Sequence, residues 1–179
     1  MSKKDHIIQS TIEILKQNRQ ASMADIAEAA GVGRATLFRH FKTRQDIIDM
    51  IDIDFIEKKM AAVQTIVNLI MPPKDKLAMM ISSSVSLGLA FDFFNYEVLN
   101  TNNPKVIEAL DNDTNLWCEV IDELREEHEI PAIFSSKWIA LSINTLIMQA
   151  CELQQEQNKT EKEVIELIWT SVTQPMIKL

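Results

Sequence analysis

Hydrophobic residues recur with the spacing of an α-helix along almost the whole chain. In residues 4–17, Ile8, Ile12 and Leu15 lie three or four positions apart, which places them on one face of a helix. Helical patterns cover eight further segments, at residues 23–30, 34–41, 43–71, 74–90, 91–100, 105–127, 131–157 and 160–173. No segment shows the alternation of apolar and polar residues between turn signals that is typical of a strand. The pattern therefore predicts an all-α protein of about nine helices.

Capping residues mark the boundaries of the first helices. Ser22 precedes Asp25 by three positions and Thr43 precedes Asp46 by the same interval, so each pair predicts a capping box at a helix start. Gly31 follows the second segment, where a glycine in the left-handed conformation commonly ends a helix. Two short helices joined by a turn of about three residues are therefore predicted between residues 22 and 44.

This arrangement is that of a helix-turn-helix, whose second helix enters the major groove of DNA. The small and apolar side chains that would pack the two helices together are Ile26, Ala27, Ala30, Val32, Leu37, Phe38 and Phe41. The other side of the second helix carries Arg34, Ala35, Thr36, Arg39 and His40. We expect that side to face DNA.

The distribution of charge agrees with this hypothesis, although the whole chain carries a formal net charge of −8. Residues 1–44 contain eight Lys or Arg against four Asp or Glu, whereas residues 45–179 contain ten against twenty-two. A basic amino-terminal module can bind phosphates while an acidic body is repelled from the duplex.

Catalytic, metal and membrane functions find no support in the sequence. His6, His40 and His128 are scattered, and no nucleophile, acid–base pair or phosphate loop has mechanistic spacing. Cys118 and Cys151 form no metal-ligand pattern and read as small buried side chains. No secretion signal or transmembrane segment is apparent. We expect a cytoplasmic protein that is not an enzyme and uses no metal or cofactor.

The predicted helix-turn-helix resembles that of the TetR family of transcriptional repressors. The matching stretches are Asp25-Ile26-Ala27, Ala30-Gly31-Val32, the run from Thr36 to Phe41, and Lys42-Thr43-Arg44 at the start of a long fourth helix. The likeness covers residues 5–56 well; beyond them, only the number, length and order of helices agree. It implies a DNA-binding domain at 1–45, with a linking helix from residue 43, and a ligand-binding and dimerisation domain at 46–179.

The resemblance also implies the residues that contact DNA, namely Ser22, Arg34, Ala35, Thr36, Phe38, Arg39, His40 and Lys42. Arg34 would bind guanine O6 and N7 or a phosphate, and Ala35 would contact a thymine methyl group. Thr36 would contact either a phosphate or a thymine methyl group. Arg39, His40, Lys42 and Ser22 would bind phosphates, as would backbone amides at the start of the fourth helix. For Arg39 and His40, the alternative is a purely solvated position.

Two positions depart from the family pattern. Phe38 stands where the family usually has a tyrosine, so a hydroxyl that would bind a phosphate is missing and weaker DNA binding is expected. Gly33 stands where a serine commonly caps the recognition helix. A glycine cap costs only a few tenths of a kcal/mol, so we expect the helix to form.

The second domain is implied to hold a dimer interface and a ligand pocket. The interface would use Trp138, Ile165, Trp169 and Val172 on the last two helices, unless these side chains belong to the core of one chain. The pocket would be lined by Met79, Met80, Phe91, Phe94, Trp117, Asn144 and Met148, although any of the methionines could simply fill the core. Such a lining favours a largely apolar small molecule.

The resulting hypothesis is a homodimeric repressor that a small ligand releases from a palindromic operator in double-stranded DNA. The alternative is a TetR-like coregulator that acts through protein partners without reading DNA.

Overall fold

The computed structural model describes residues 2–90, 101–127 and 130–174, and every regular element within them is an α-helix. These residues form eight helices: α1 (Lys3–Gln17), α2 (Met23–Ala29), α3 (Arg34–His40), α4 (Arg44–Val67), α5 (Pro73–Ala90), α6 (Pro104–Glu127), α7 (Ser136–Gln157) and α8 (Glu161–Thr173). The all-α prediction is confirmed. The ninth predicted helix, at 91–100, lies outside the described residues. No helix in the described ranges is both long and apolar enough to cross a bilayer.

The described residues divide into two compact units. The first unit contains residues 2–55 and 101–106, and the second contains residues 56–90, 107–127 and 130–174. The long helices α4 and α6 therefore each supply residues to both units.

The core of the first unit is built by the predicted apolar faces of α1 to α4. Its buried members are Ile7, Ile12, Ile26, Ala27, Ala30, Leu37, Phe41, Ile47 and Ile51. α2 packs against both α1 and α3, and its alanines allow the close approach. This packing holds α3 by its apolar side and leaves its opposite side on the surface of the unit.

The second unit has a larger apolar core in which α5, α7 and α8 pack against one another. Trp117 of α6 is the largest side chain that is fully buried there, and Leu77, Ile121 and Ile143 are also completely shielded. The helical spacing of these residues explains why the segments fold as helices and bury one face each.

The start of α7 differs from the prediction, which placed it at Pro131. Residues 131–134 instead form a turn in which the Phe134 amide donates to the Pro131 carbonyl at 2.9 Å. The Arg125 guanidinium donates to the Phe134 carbonyl at 2.7 Å. The hydroxyl of Ser135 then caps α7 by accepting from the Trp138 amide at 3.1 Å. The Arg125 contact and the Ser135 cap fix this turn, so the helix begins only at Ser136.

The helix α4 ends at Val67, four residues before the predicted end at Met71. Its last turn is closed by the Leu69 amide, which donates to the Ile66 carbonyl at 3.0 Å. Pro72 follows, and a proline disfavours the helical conformation of the residue before it. The helix therefore ends ahead of the Pro72-Pro73 pair.

Candidate functional site

Hydrogen bonds within the chain build the first helix of the helix-turn-helix. The Ser22 amide donates to Asp25 Oδ2 at 2.8 Å, and the Asp25 amide donates back to Ser22 Oγ at 3.3 Å. This is the predicted capping box. The hydrogen bonds from the Ser22 amide and hydroxyl hold the pKa of Asp25 below its ordinary value of 3.8. Asp25 therefore stays ionised and stabilises the start of α2.

The turn between α2 and α3 depends on Gly31, whose φ is +60°. The Val32 amide donates to the Ala27 carbonyl at 3.0 Å, and the Gly31 amide donates to the Glu28 carbonyl at 2.9 Å. These two bonds form the Schellman motif that ends α2. Gly33 is the N-cap of α3 and supplies no side-chain hydrogen bond. The chain thus turns in four residues, 30–33, close to the three that the sequence predicted.

The surface of α3 carries most of the side chains that were predicted to contact DNA. Arg34, Ala35, Phe38 and Arg39 are exposed, and Thr36 is half-buried. Phe38 leaves 50% of its surface exposed and takes no part in the core of the unit, so the prediction that it packs the two helices together is wrong. Leu37 beside it is completely buried. A large apolar ring on an otherwise polar and basic surface favours contact with another molecule.

His40 lies at the edge of this surface and is half-buried. Its Nε2 atom is shielded from solvent and has no hydrogen-bond partner in the described part of the chain. The ring lies against Phe41, with 6.5 Å between the two ring centroids. A contact between Nε2 and a phosphate would therefore require the His40 side chain to turn outward.

The start of α4 is capped as predicted. The Asp46 amide donates to Thr43 Oγ1 at 3.1 Å, and Asp46 Oδ2 accepts from the amides of both Lys42 and Thr43 at 2.9 Å. Since Asp46 already binds those two amides, they are occupied before any phosphate approaches. The exposed ammonium of Lys42 remains the group at this position that can contact DNA.

A second candidate site lies in the second unit, where Lys59 of α4 meets three residues of other helices. Lys59 Nζ donates to Asp113 Oδ2 and to Asn144 Oδ1, both at 2.7 Å. It also lies 5.5 Å from the centroid of the Trp117 ring, a cation–π distance. We call these four residues the Lys59 cluster. Trp117 and Asn144 were predicted as ligand-binding residues, and the structure brings them together around Lys59.

Burial sets the electrostatics of the Lys59 cluster. The side chains of Lys59 and Asp113 are only 12% and 4% exposed. Burial lowers the pKa of Lys59, and the neighbouring Asp113 carboxylate partly opposes that shift. Two atoms of the cluster, Asp113 Oδ1 and Trp117 Nε1, are buried without a partner among the described residues.

The comparisons with known proteins begin at the amino-terminal unit. The family model for bacterial regulatory proteins of the tetR family matches residues 15–51, which include α2, the turn and α3. The HTH-type transcriptional repressor LfrR of Mycolicibacterium smegmatis is 25% identical over 173 residues, which are 97% of this chain and 89% of LfrR.

The chain carries the helix-turn-helix of the TetR family at residues 15–51. It is a DNA-binding transcriptional regulator, as its helix-turn-helix predicted.

Solved structures of other regulators are similar in fold to this chain. The crystal structure of LfrR in complex with proflavine has a TM-score of 0.74 at 21% identity and covers 99% of this chain and 97% of that one. The ketosteroid transcriptional regulator KstR2 of Mycobacterium tuberculosis has a TM-score of 0.78 at 16% identity, with coverages of 99% and 96%.

The other predicted ligand-binding residues occupy different environments. Met80 is fully buried in the same apolar core as Trp117, Met148 is half-buried, and Met79 is 41% exposed. Phe91 and Phe94 lie outside the described residues. Of the members that the structure describes, Trp117 and Asn144 thus lie in the Lys59 cluster.

The predicted dimer residues divide in a similar way. Trp138 is 58% exposed on α7, whereas Val172 is fully buried within the chain. Ile165 and Trp169 are partly buried and pack against the core. Leu141 of α7 and Leu167 of α8, which the sequence analysis did not select, are 46% and 44% exposed. The exposed apolar surface of α7 and α8 is therefore carried by Trp138, Leu141 and Leu167.

Sequence reasoning also missed Lys59 and Asp113, although a signal was present. Lys59 lies four positions after Phe55 and four before Val63, within the apolar stripe of α4. Asp113 lies four positions before Trp117, on the buried face of α6. Opposite charges on the apolar faces of two helices indicate a buried ion pair, because an unpaired charge is rarely buried.

Proposed function

We propose that this TetR-family protein is a homodimeric repressor that reads an operator with α3 and leaves it when a small molecule binds the second unit. The observation that carries the proposal is the exposed surface of α3. There Arg34, Ala35 and Phe38 project from a helix that its apolar side holds in a helix-turn-helix.

Two copies of α3 are needed for useful specificity. One helix contacts only a few base pairs, and each mismatched pair costs about 1–3 kcal/mol, so a second half-site multiplies the discrimination. A two-fold dimer would place its recognition helices about 34 Å apart, which corresponds to a palindromic operator. The exposed apolar side chains of α7 and α8 favour these helices as the dimer interface.

The ligand would act through helices α4 and α6, which both contribute to the second unit and both begin in the first. Lys59 and Asp113 stand on these two helices and pair with one another. A molecule that binds there favours one arrangement of the pair over another, so the positions of the recognition helices change with it. Shifting an equilibrium from 1:99 to 99:1 requires about 10⁴-fold tighter binding to the favoured state.

The relatives support a ligand-responsive function without selecting the ligand. LfrR was crystallised with proflavine, and KstR2 is described as a ketosteroid regulator. The apolar core of the second unit supports a largely apolar ligand in this chain.

The experiment that tests the proposal is selection of bound sequences from a random pool of duplex DNA, followed by titration of the selected operator. We expect a palindrome, and we expect Arg34→Ala to weaken binding by about 1–3 kcal/mol and to relax the preference at one base pair of each half-site. If Arg34 binds a phosphate, the loss will be uniform across sequences. Lys74→Ala, on the exposed start of α5, is the control. The absence of any DNA binding at low salt would refute the proposal and favour a coregulator that acts through proteins.

A further inference from the structure

The Lys59 cluster contains two buried polar atoms that the chain leaves without a hydrogen bond. Asp113 Oδ1 is an acceptor, Trp117 Nε1 is a donor, and neither has a partner in residues 2–90, 101–127 or 130–174. Native proteins leave few such atoms unpaired, because each buried polar group that lacks a partner destabilises the fold. Two of them together indicate a place where another molecule supplies the missing partners.

The two unpaired atoms belong to side chains that lie close to one another. Asp113 and Trp117 are four residues apart on α6, so their side chains are neighbours on one face of the helix. Lys59 contacts both, at 2.7 Å from Asp113 Oδ2 and 5.5 Å from the centroid of the Trp117 ring. Because the two side chains are neighbours, one small polar group that both donates and accepts hydrogen bonds is the simplest partner for both atoms.

The charge of the cluster selects the kind of ligand. The Lys59 ammonium and the Asp113 carboxylate neutralise one another, and Asn144 and Trp117 carry no charge. A charged ligand group would lose its hydration in this core without gaining a counter-ion, which is costly. A neutral group would not incur that cost.

We propose that the Lys59 cluster binds the polar end of a neutral, otherwise apolar effector, through a hydroxyl or amide that donates to Asp113 Oδ1 and accepts from Trp117 Nε1. The apolar remainder of the effector would lie among the core side chains of the same helices, such as Ile121, one turn after Trp117 on α6, and Ile147, three positions after Asn144 on α7. This inference rests on the proposed ligand response and names the chemistry of its ligand.

The test uses the full-length protein and two sets of probes that differ only in their polar group. The first set is 2-naphthol, 2-naphthoate, 2-naphthylmethylammonium and naphthalene; the second is 1-decanol, decanoate and decylammonium. Calorimetric titration should show that one of the alcohols binds at least about 10-fold more tightly than its charged analogues.

Two variants assign that preference to the cluster. Trp117→Phe keeps an aromatic ring but removes the Nε1 donor, and it should weaken binding of the alcohol by about 5- to 10-fold. Ile107→Val makes a small change at an exposed position of the same helix and should leave probe binding unaltered. The double variant Lys59→Met/Asp113→Leu removes both charges of the cluster, so it is expected to fold, and it should bind 2-naphthol no better than naphthalene.

Several outcomes would overturn the inference. The wild-type protein could bind the carboxylate or the ammonium probe more tightly than the alcohol, or it could bind none of the probes. Both cluster variants could also bind the alcohol as tightly as the wild-type protein does. If Trp117→Phe alters stability but not probe binding, then an internal water serves the two atoms and the inference is again wrong. Titration of the selected operator with wild-type protein, run in parallel, reports separately on the proposed function. Loss of DNA binding with intact alcohol preference would refute the repressor function alone.

Discussion

The carboxylate of Asp49 on α4 accepts a hydrogen bond from the side-chain amide of Asn103, with 2.8 Å between Oδ2 and Nδ2. The carbonyl oxygen of the same Asn103 side chain accepts from the Lys105 amide at 3.0 Å. Asn103 therefore caps the start of α6 and joins it to α4. Thr101 adds a weaker contact to the other oxygen of Asp49, at 3.5 Å.

Replacing Asn103 should show what this junction contributes. Asn103→Ala removes a helix cap and the hydrogen bond to a charged group, so we expect the free energy of unfolding to fall by about 1–2 kcal/mol. Asn102→Ala, the same change at the exposed neighbouring residue, should alter it by less than about 0.5 kcal/mol. Urea denaturation at one fixed protein concentration measures both values. Equal losses of unfolding free energy in the two variants would show that the Asp49–Asn103 contact does not stabilise the fold.

The two glycines of the helix-turn-helix should respond to substitution in opposite directions. Open space surrounds both positions, but Gly31 has a φ of +60° whereas Gly33 has ordinary extended backbone. Gly33→Ser adds the missing N-cap and should stabilise the chain by a few tenths of a kcal/mol. Gly31→Ala forces a left-handed conformation on an L-residue and should destabilise it by about 1–2 kcal/mol. Thermal unfolding of the two variants tests the contrast, and a destabilised Gly33→Ser variant would contradict it.

Phe38 offers a gain-of-function test at the proposed DNA surface. Phe38→Tyr adds a hydroxyl to a half-exposed ring on α3, and we expect operator affinity to increase about 3- to 10-fold through one hydrogen bond to a phosphate. Since the new group is neutral, the dependence of affinity on salt concentration should stay the same. Titration of the selected operator at two salt concentrations provides the measurement. Unchanged or weaker binding would mean that Phe38 does not face the DNA backbone.

The helix-turn-helix could be predicted from sequence because its determinants are local. The capping boxes of Ser22 with Asp25 and of Thr43 with Asp46 each join residues three positions apart, and both are present. The start of α7 was misplaced for the opposite reason, since Arg125 closes the preceding turn through tertiary contacts.

The Lys59 cluster in the second unit could not be predicted from the sequence for the same reason, because its contacts join different helices. Lys59 and Asp113 are 54 residues apart, and periodicity alone gives no pairing between positions on different helices. Each charge could be recognised as unusual within its own apolar stripe. Only the packing of the helices shows that the two charges meet, and that Trp117 and Asn144 meet them.

The proposed dimer interface predicts a loss of self-association on charge insertion. Leu141→Glu on α7 would place a carboxylate within an apolar contact of the dimer, so we expect the dimer to dissociate at micromolar concentration. Ile70→Glu changes another exposed apolar side chain, in the loop after α4, and should leave the oligomeric state unaltered. Light scattering coupled to size exclusion distinguishes the two masses. A monomeric wild-type protein, or a dimeric Leu141→Glu variant, would contradict the proposed interface.

The buried ion pair between Lys59 and Asp113 predicts strong non-additivity. Asp113→Leu leaves the Lys59 ammonium buried without its counter-ion and should lower the free energy of unfolding by about 3–5 kcal/mol. The double variant Lys59→Met/Asp113→Leu removes both charges of the pair, so it should recover most of that loss.

The stability of the single variant Asp113→Leu should also depend on pH. Burial lowers the pKa of Lys59 below its ordinary value of 10.5. Lys59 therefore loses its proton at a lower pH in the folded chain than in the unfolded chain. The stability of Asp113→Leu should therefore rise as the pH increases toward that value, while the double variant should lack this increase. Urea denaturation at several pH values tests both expectations. If the double variant is as unstable as the single one, then the cost lies in lost packing at Asp113 and not in the unpaired charge of Lys59.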